Sequence, residues 1–260
     1  MNYGHLFLKA FSTVGLVLAF VGMSTSACAG LSGGDAWKEE VLLHDGQKII
    51  VERSQTYGGR SEPGQSGPIK EHTIRFTLPG AGQTITWISE YGEDLGRTNF
   101  NLLAVHVLNG TPYIVTEPNL CLSYNKWGRP NPPYVFFKYD SNAWQRISLE
   151  QFPAEFKTIN VAHNTLGQDA QELVRLGLVS AEKVREMNRS SADEYKRILR
   201  EALQGMERRC RVEFSNGKGT WLSIDWFRDE KDLASCLRVC EQKSFKDSAC
   251  PCGQFFKKGN

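Results

Sequence analysis

A hydrophobic leader followed by an even set of six cysteines constrains this chain more than any other feature. Lys9 precedes an apolar run from Ala10 to Met23, and small residues from Ser24 to Ala29 end it. A basic start, a short apolar core and a small-residue exit are the parts of a secretory signal. Residues 1–27 therefore read as a signal peptide, and the remainder reads as an exported chain that folds where disulfides persist.

The exit has two readings. Cleavage after Ala29 would discard Cys28 with the leader. Alternatively, Ser26-Ala27-Cys28 resembles the end of a bacterial lipobox, which would make Cys28 the acylated first residue and 28–36 a flexible tether. Thr25 departs from the large aliphatic residue usual in that motif. An uncleaved membrane helix would need about 20 apolar residues, and Ser24, Thr25 and Ser26 interrupt the run.

Removing or acylating Cys28 leaves Cys121, Cys210, Cys236, Cys240, Cys250 and Cys252 to pair. Cys236 and Cys240 share one face of a helix, one turn apart, where parallel Cβ directions make poor bridge geometry. The simplest arrangement joins them to Cys250 and Cys252 across Pro251 and leaves Cys121 to staple Cys210. In the loop-entropy account the long bridge contributes about 4 to 5 kcal/mol and each tail bridge about 3. Four thiols this close also permit zinc. The Cys-x-Cys spacing of the second pair and the oxidising compartment favour disulfides, so no metal and no cofactor are expected.

Two-residue alternation runs from Trp37 to about Leu149. Ile74, Phe76 and Leu78 fall on one face of a strand, and Ile85 and Trp87 on one face of the next, with Pro79-Gly80-Ala81-Gly82-Gln83 between them. Similar pairs flank His44-Asp45-Gly46-Gln47, Asn109-Gly110 and Ser141-Asn142. Asn-Gly and Asp-Gly suit the positive backbone angles of tight hairpins. Four hairpins predict an antiparallel meander or sandwich of about eight strands over 37–160.

Helical spacing takes over in 161–260: Gln168–Leu176 ended by Gly177, a second helix capped by Ser180, and a longer one opened by a Ser191–Glu194 capping box and running to Met206. A hairpin around Ser215-Asn216-Gly217 and a last helix near Asp229–Ser244 complete the region. The fold class is thus α+β, disulfide-stabilised, with a soft boundary near Asn160.

The charge, 31 basic against 29 acidic residues, is close to balanced and interleaved, which excludes a nucleic-acid footprint. Gly30-Leu31-Ser32-Gly33-Gly34 lies in the tether without the strand and helix of a nucleophile elbow, and Ser123-Tyr124-Asn125-Lys126 runs into Trp127-Gly128-Arg129-Pro130, which stops a helix. His44, His72, His106 and His163 lack metal-ligand spacing. No catalytic residue is therefore assigned.

The segment Asn119–Pro133 carries Tyr124, Lys126, Trp127 and Arg129 among prolines. Rigid aromatic area with donors suits a recognition surface. The bland alternative is that Trp127 and Tyr124 plug an open end of the β structure.

Trp37-Lys38-Glu39-Glu40-Val41-Leu42-Leu43-His44-Asp45-Gly46 and the stretch from Cys121 to Tyr139 resemble an uncharacterised group of exported, lipoprotein-like proteobacterial proteins over roughly 37–160. The resemblance implies a cell-envelope location, periplasmic or lipid-anchored, with lipidation at Cys28; it implies no activity. A non-catalytic binding or envelope-maintenance protein is expected, with an immunity or inhibitor role as one specific form. Its partner would be an envelope protein or small ligand. The alternative is an envelope hydrolase with a site assembled from distant residues such as His106, Asp94 and Ser123.

Overall fold

The computed structural model describes residues 34–64 and 67–256; the expected signal peptide, Cys28 and most of the expected tether lie outside them. The first half runs β1 (Gly34–Leu42), β2 (Lys48–Tyr57), β3 (Ile69–Thr77), β4 (Thr84–Ile88), the short β5 (Tyr91–Gly92) and β6 (Arg97–Thr98), β7 (Phe100–Leu108), β8 (Thr111–Pro118), α1 (Leu120–Lys126), β9 (Val135–Asp140) and β10 (Ala143–Ile147). Then come α2 (Gly167–Leu176), β11 (Leu178–Val179), α3 (Ala181–Asn188), α4 (Met206–Arg209), β12 (Glu213–Ser215), β13 (Trp221–Ser223), α5 (Asp225–Arg228), α6 (Leu233–Gln242) and α7 (Cys252–Phe255). This is the disulfide-stabilised α+β class that the alternation and the cysteines predict.

The four hairpins form where the turn residues place them. Asn109 and Gly110 both take positive φ (51° and 75°), the twist that matches paired strands. They build two sheets, ordered β11-β1-β2-β3-β4 and β10-β9-β8-β7. Val51, Ile74, Phe76 and Ile85 of the first pack against Leu102, Val105, Ile114 and Val135 of the second. The second sheet is covered on its other face as well, by Phe152, Phe156, Ile159 and Ile198. Burial on both faces explains why Leu102–Val105 reads as a continuous apolar run instead of alternating.

The pattern change near Asn160 marks a clamp. Its amide donates to Val105 O (2.7 Å) and Leu42 O (3.1 Å) and accepts from Val105 N (2.9 Å), tying both sheets to the passing chain. Beyond it, β11 pairs in parallel with β1, and Trp37 packs with Leu173, Val179 and Val184 of the α2–β11–α3 unit. Gly177 ends α2 with φ +67°, and the Ser180 hydroxyl accepts from Lys183 N to cap α3.

Several local expectations are corrected. Strand β1 starts at Gly34, inside the expected tether, because Gly34 pairs with Thr56 so closely that a Cβ would stand 2.4 Å from Gln55 O. Part of Asn119–Pro133 is helical, as α1. The long helix from Ser191 to Met206 does not form; a single 3₁₀ turn, Asp193–Tyr195, is followed by extended chain. There Ile198 N donates to Lys157 O and Ile159 N to Lys196 O, so Ile198 is buried, and Tyr195 and Leu199 partly buried, against a distant segment. The Ser191–Glu194 box is dissolved: Ser191 meets His163 and Glu194 meets Arg209. The hairpin around Ser215-Asn216-Gly217 forms, with its second strand ending at Ser223, and α5 comes next.

All six cysteines are paired, Cys121–Cys210, Cys236–Cys252 and Cys240–Cys250, with Cα separations of 5.3, 5.8 and 5.8 Å. The tail bridges close over a small cluster of Leu222, Phe227 and Phe245. The apolar area there is modest, and the covalent bridges restrict its unfolded alternatives. Sulfur atoms of Cys240, Cys250 and Cys252 lie within 4.8 Å of one another, the closeness of two adjacent bridges.

Candidate functional site

Inward side chains of the first sheet form rows across its strands, since registered neighbours share a face. Glu39, Val51, Phe76 and Ile85 make one row, and Trp37, Arg53, Ile74 and Trp87 the next. The outermost row is polar throughout: Asp35, Gln55 and His72 in register, with Ser89 exchanging bonds with His72 backbone (His72 N to Ser89 Oγ 2.8 Å; Ser89 N to His72 O 2.9 Å).

These polar side chains hold an irregular segment against the sheet. Arg53 and Glu39 form a fully buried ion pair (2.8 Å). Arg53 also donates to Ala162 O (2.7 Å), and Ala162 N donates to the other oxygen of Glu39 (3.1 Å). The Gln55 amide donates to Thr165 O (2.8 Å), Asp35 (3.1 Å) and the Tyr57 hydroxyl (2.6 Å), while Tyr57 donates to Asp35. Residues 162–165 thus obtain from side chains what a neighbouring strand would have given. The polar pairing is incomplete at the end of the sheet. Gln55 Oε1 and both ring nitrogens of His72 are buried without a partner. Burial, the nearby Arg53 charge and a smaller opposing effect of Asn101 leave the His72 pKa lowered to about 3, so the ring is neutral.

A cleft of about 930 Å³ opens at this end. The first sheet brings Asp35 and Tyr57 to it, and the second brings Asn101 and Glu117, with Tyr195 opposite. Glu117 accepts from Asn101 Nδ2 (3.1 Å) and from the Tyr195 hydroxyl (2.9 Å). Poor hydration pushes its carboxyl pKa up, against the lowering effect of those two bonds. Burial, with the bond to Asp35, pushes the Tyr57 hydroxyl to about 12. His163 stacks on Tyr195 (4.7 Å between ring centres), with Nε2 2.6 Å from Ser191 Oγ, and burial lowers its pKa.

Two leucines overhang the cleft, Leu120 (61% exposed) and Leu166 (57% exposed). Leu120 holds φ +63°, a left-handed conformation that disfavours a Cβ by about 1 kcal/mol. An exposed apolar residue kept in a strained backbone beside a cavity is a functional signature.

The residues singled out from sequence lie elsewhere. Tyr124 is buried and carries the Arg129 guanidinium over its ring (5.1 Å). Arg129 donates to Cys210 O (2.8 Å), Glu207 O and Arg211 O, strapping α1 to the segment that Cys121–Cys210 joins to it. Lys126 pairs with Asp94 (2.7 Å). Trp127 packs on Phe100 (4.6 Å) and donates to Asn99 Oδ1, at the wall of a second groove of about 880 Å³ shared with Trp144 and Phe137. His106, Asp94 and Ser123 each have a separate partner: His106 bonds Thr158 O, Asp94 Lys126, and Ser123 Asn99 O.

The cleft residues were not singled out by sequence motifs. A signal existed, however: polar residues at inward positions of alternating strands, Glu39, Arg53 and Gln55, break the apolar face and hold the 162–165 segment, which borders the cleft.

No known family, curated protein or solved structure matches this chain. Three disulfides fit an oxidising, exported environment. Among the described residues no helix is long and apolar enough to cross a membrane.

Proposed function

We propose that this is a non-catalytic binding protein of the bacterial cell envelope, periplasmic or held there by lipid at Cys28, with its ligand in the Asp35–Glu117 cleft. The observation that carries the reading is a cavity where Asp35, Tyr57, Asn101 and Glu117 of the two sheets meet under exposed Leu120 and Leu166. Cavity volume, a few convergent polar groups and apolar lips are the usual components of a ligand site. The closest pair to a nucleophile and base is Ser191 with His163. Among the described residues no carboxylate hydrogen-bonds the other nitrogen of His163, so no third group orients it as a base, which supports binding over hydrolysis.

The test compares protein isolated from the envelope with Gln171→Trp, which places a bulky ring at an exposed position lining the cleft. Native mass spectrometry should find a co-purifying species on the wild type and about tenfold less on the variant. A species retained equally by both would remove the cleft from the reading. Intact mass reads the second issue: a diacylglycerol addition at Cys28 identifies the anchored form, and a start at Gly30 the free one.

A further inference from the structure

The tail holds two disulfides in contact with each other. Cys236–Cys252 and Cys240–Cys250 both join α6 to the chain around Pro251, and the unbonded sulfurs of Cys240 and Cys252 stand 3.7 Å apart, in van der Waals contact. Cys250 Sγ completes a set of three sulfurs within 4.8 Å of one another. Exposure divides the four residues. Cys236, Cys240 and Cys252 are buried beside Leu222, Phe227 and Phe245, whereas Cys250 is only partly buried. Cys121–Cys210 lies outside this set.

A disulfide breaks when a thiolate attacks one sulfur and expels the other. An external thiolate has access to Cys250 and not to buried Cys240, so attack there expels Cys240 as the thiolate. That sulfur already touches Cys252. It has two targets in reach: Cys250, which restores the starting bridge, and Cys252, from which it displaces Cys236.

We propose that the tail is a thiol-exchange site entered at Cys250, whose co-reactant is a dithiol and whose product carries a Cys240–Cys252 bridge. First the dithiol forms a bond to Cys250 Sγ and the Cys240–Cys250 bond breaks, leaving the electron pair on Cys240. Cys240 Sγ then bonds to Cys252 Sγ, the Cys236–Cys252 bond breaks, and Cys236 takes a proton. The second thiol of the co-reactant displaces Cys250, which leaves as a thiol. The dithiol ends as its disulfide, one protein bridge is reduced to the Cys236 and Cys250 thiols, and the other bridge has moved. Cys236 remains as a neutral thiol among apolar side chains, an environment that suits it. Moving Cys252 from Cys236 to Cys240 shifts its attachment by one turn of α6, about 6 Å. Phe255 of α7, whose ring meets Phe214 edge-on at 6.4 Å, follows Cys252 and leaves that contact. The cleft plays no part in this chemistry.

The test uses the full chain with its disulfides formed. Arg238 separates Cys236 from Cys240, so trypsin puts them on different peptides and mass spectrometry reads which of them holds Cys252. Cys250→Ser leaves Cys240 as a free thiol beside the Cys236–Cys252 bridge. Incubated in mildly alkaline buffer, quenched with acid and alkylated, this variant should give both the Cys236–Cys252 and the Cys240–Cys252 isomers. Their interconversion should slow about tenfold for each pH unit of acidification, as the thiolate is lost. In the wild type, limiting dithiothreitol followed by alkylation should label Cys236 and Cys250 together, with Cys240 held to Cys252. A Cys250→Ser chain that stays wholly Cys236–Cys252 overturns the proposal, and so does wild-type label confined to Cys240 with Cys250 or to Cys236 with Cys252. Exchange that draws in Cys121 or Cys210 also overturns it, since it reports scrambling in the unfolded chain. Should Cys250→Ser fail to fold, the wild-type labelling decides by itself.

Discussion

The two ends of the first sheet's inner face are made from the same alternating strands and do different work. Toward the 43–49 and 78–83 turns the rows are Val41, Ile49, Phe76 and Ile85, which meet the second sheet as side chains alone. Toward the cleft the rows become Arg53, Gln55, His72 and Asp35; Arg53 and Gln55 hold irregular backbone, and Asp35 lines the cleft. A sandwich that buries only apolar surface needs nothing else from its neighbours. One that ends in a polar row needs partners of defined geometry, and this need makes that end a site.

Breaking the polar end should cost most. Arg53→Met leaves Glu39 charged and buried without its partner, and should lower unfolding stability by about 3 to 5 kcal/mol. Replacing both, Glu39→Leu with Arg53→Met, should not restore stability fully, because Ala162 N and O lose their partners, about 1 to 3 kcal/mol each. Chemical denaturation of the two variants measures the difference. Full recovery in the double variant would mean that the pair does not hold the 162–165 segment.

At the neighbouring groove, Trp127→Ala should lower stability by about 2 kcal/mol, less than a fully buried aromatic, because Trp127 is half-buried on Phe100. Ligand uptake in the Asp35–Glu117 cleft should not change. The opposite order of effects would return Asn119–Pro133 to the role of recognition surface.

Acid should act through the buried histidines. His72 and His106 are lowered from 6.5 to about 3 and about 4, mainly by burial, so between these values and 6.5 the unfolded chain binds protons that the folded chain does not. Their contribution is fully present above 6.5 and is lost as pH falls, each at up to about 1.4 kcal/mol per pH unit. His72→Leu should flatten this slope, and an unchanged slope would show that His72 is protonated in the folded protein.

The smallest expected effect has the opposite sign. Leu120→Gly relieves the left-handed leucine and should raise stability by about 1 kcal/mol, while removing an apolar lip and weakening ligand uptake. Thermal unfolding and the co-purification test read the two halves of that trade.

Much of the sandwich was legible in the sequence. Turn residues at His44–Gln47, Pro79–Gln83, Asn109-Gly110 and Ser141-Asn142 mark local backbone angles, and alternation marks one buried face; both act between near neighbours. The cysteine pairing was legible in part: helix spacing and Pro251 send Cys236 and Cys240 to Cys250 and Cys252 without deciding which meets which, and Cys121–Cys210 followed by elimination. The extended chain after Tyr195 was not, because its apolar spacing suits a helix and only Lys157–Ile159, distant in sequence, turns it into paired backbone. Nor was the cleft: Asp35, Glu117 and Tyr195 share no local motif. The chain itself therefore determines features set by a residue and its near neighbours: hairpin turns, strand faces and the Ser180 cap. Tertiary structure alone decides which polar inward residues find backbone to hold and which are left facing a cavity, because that depends on where the two sheets and the 160–165 segment stop covering one another.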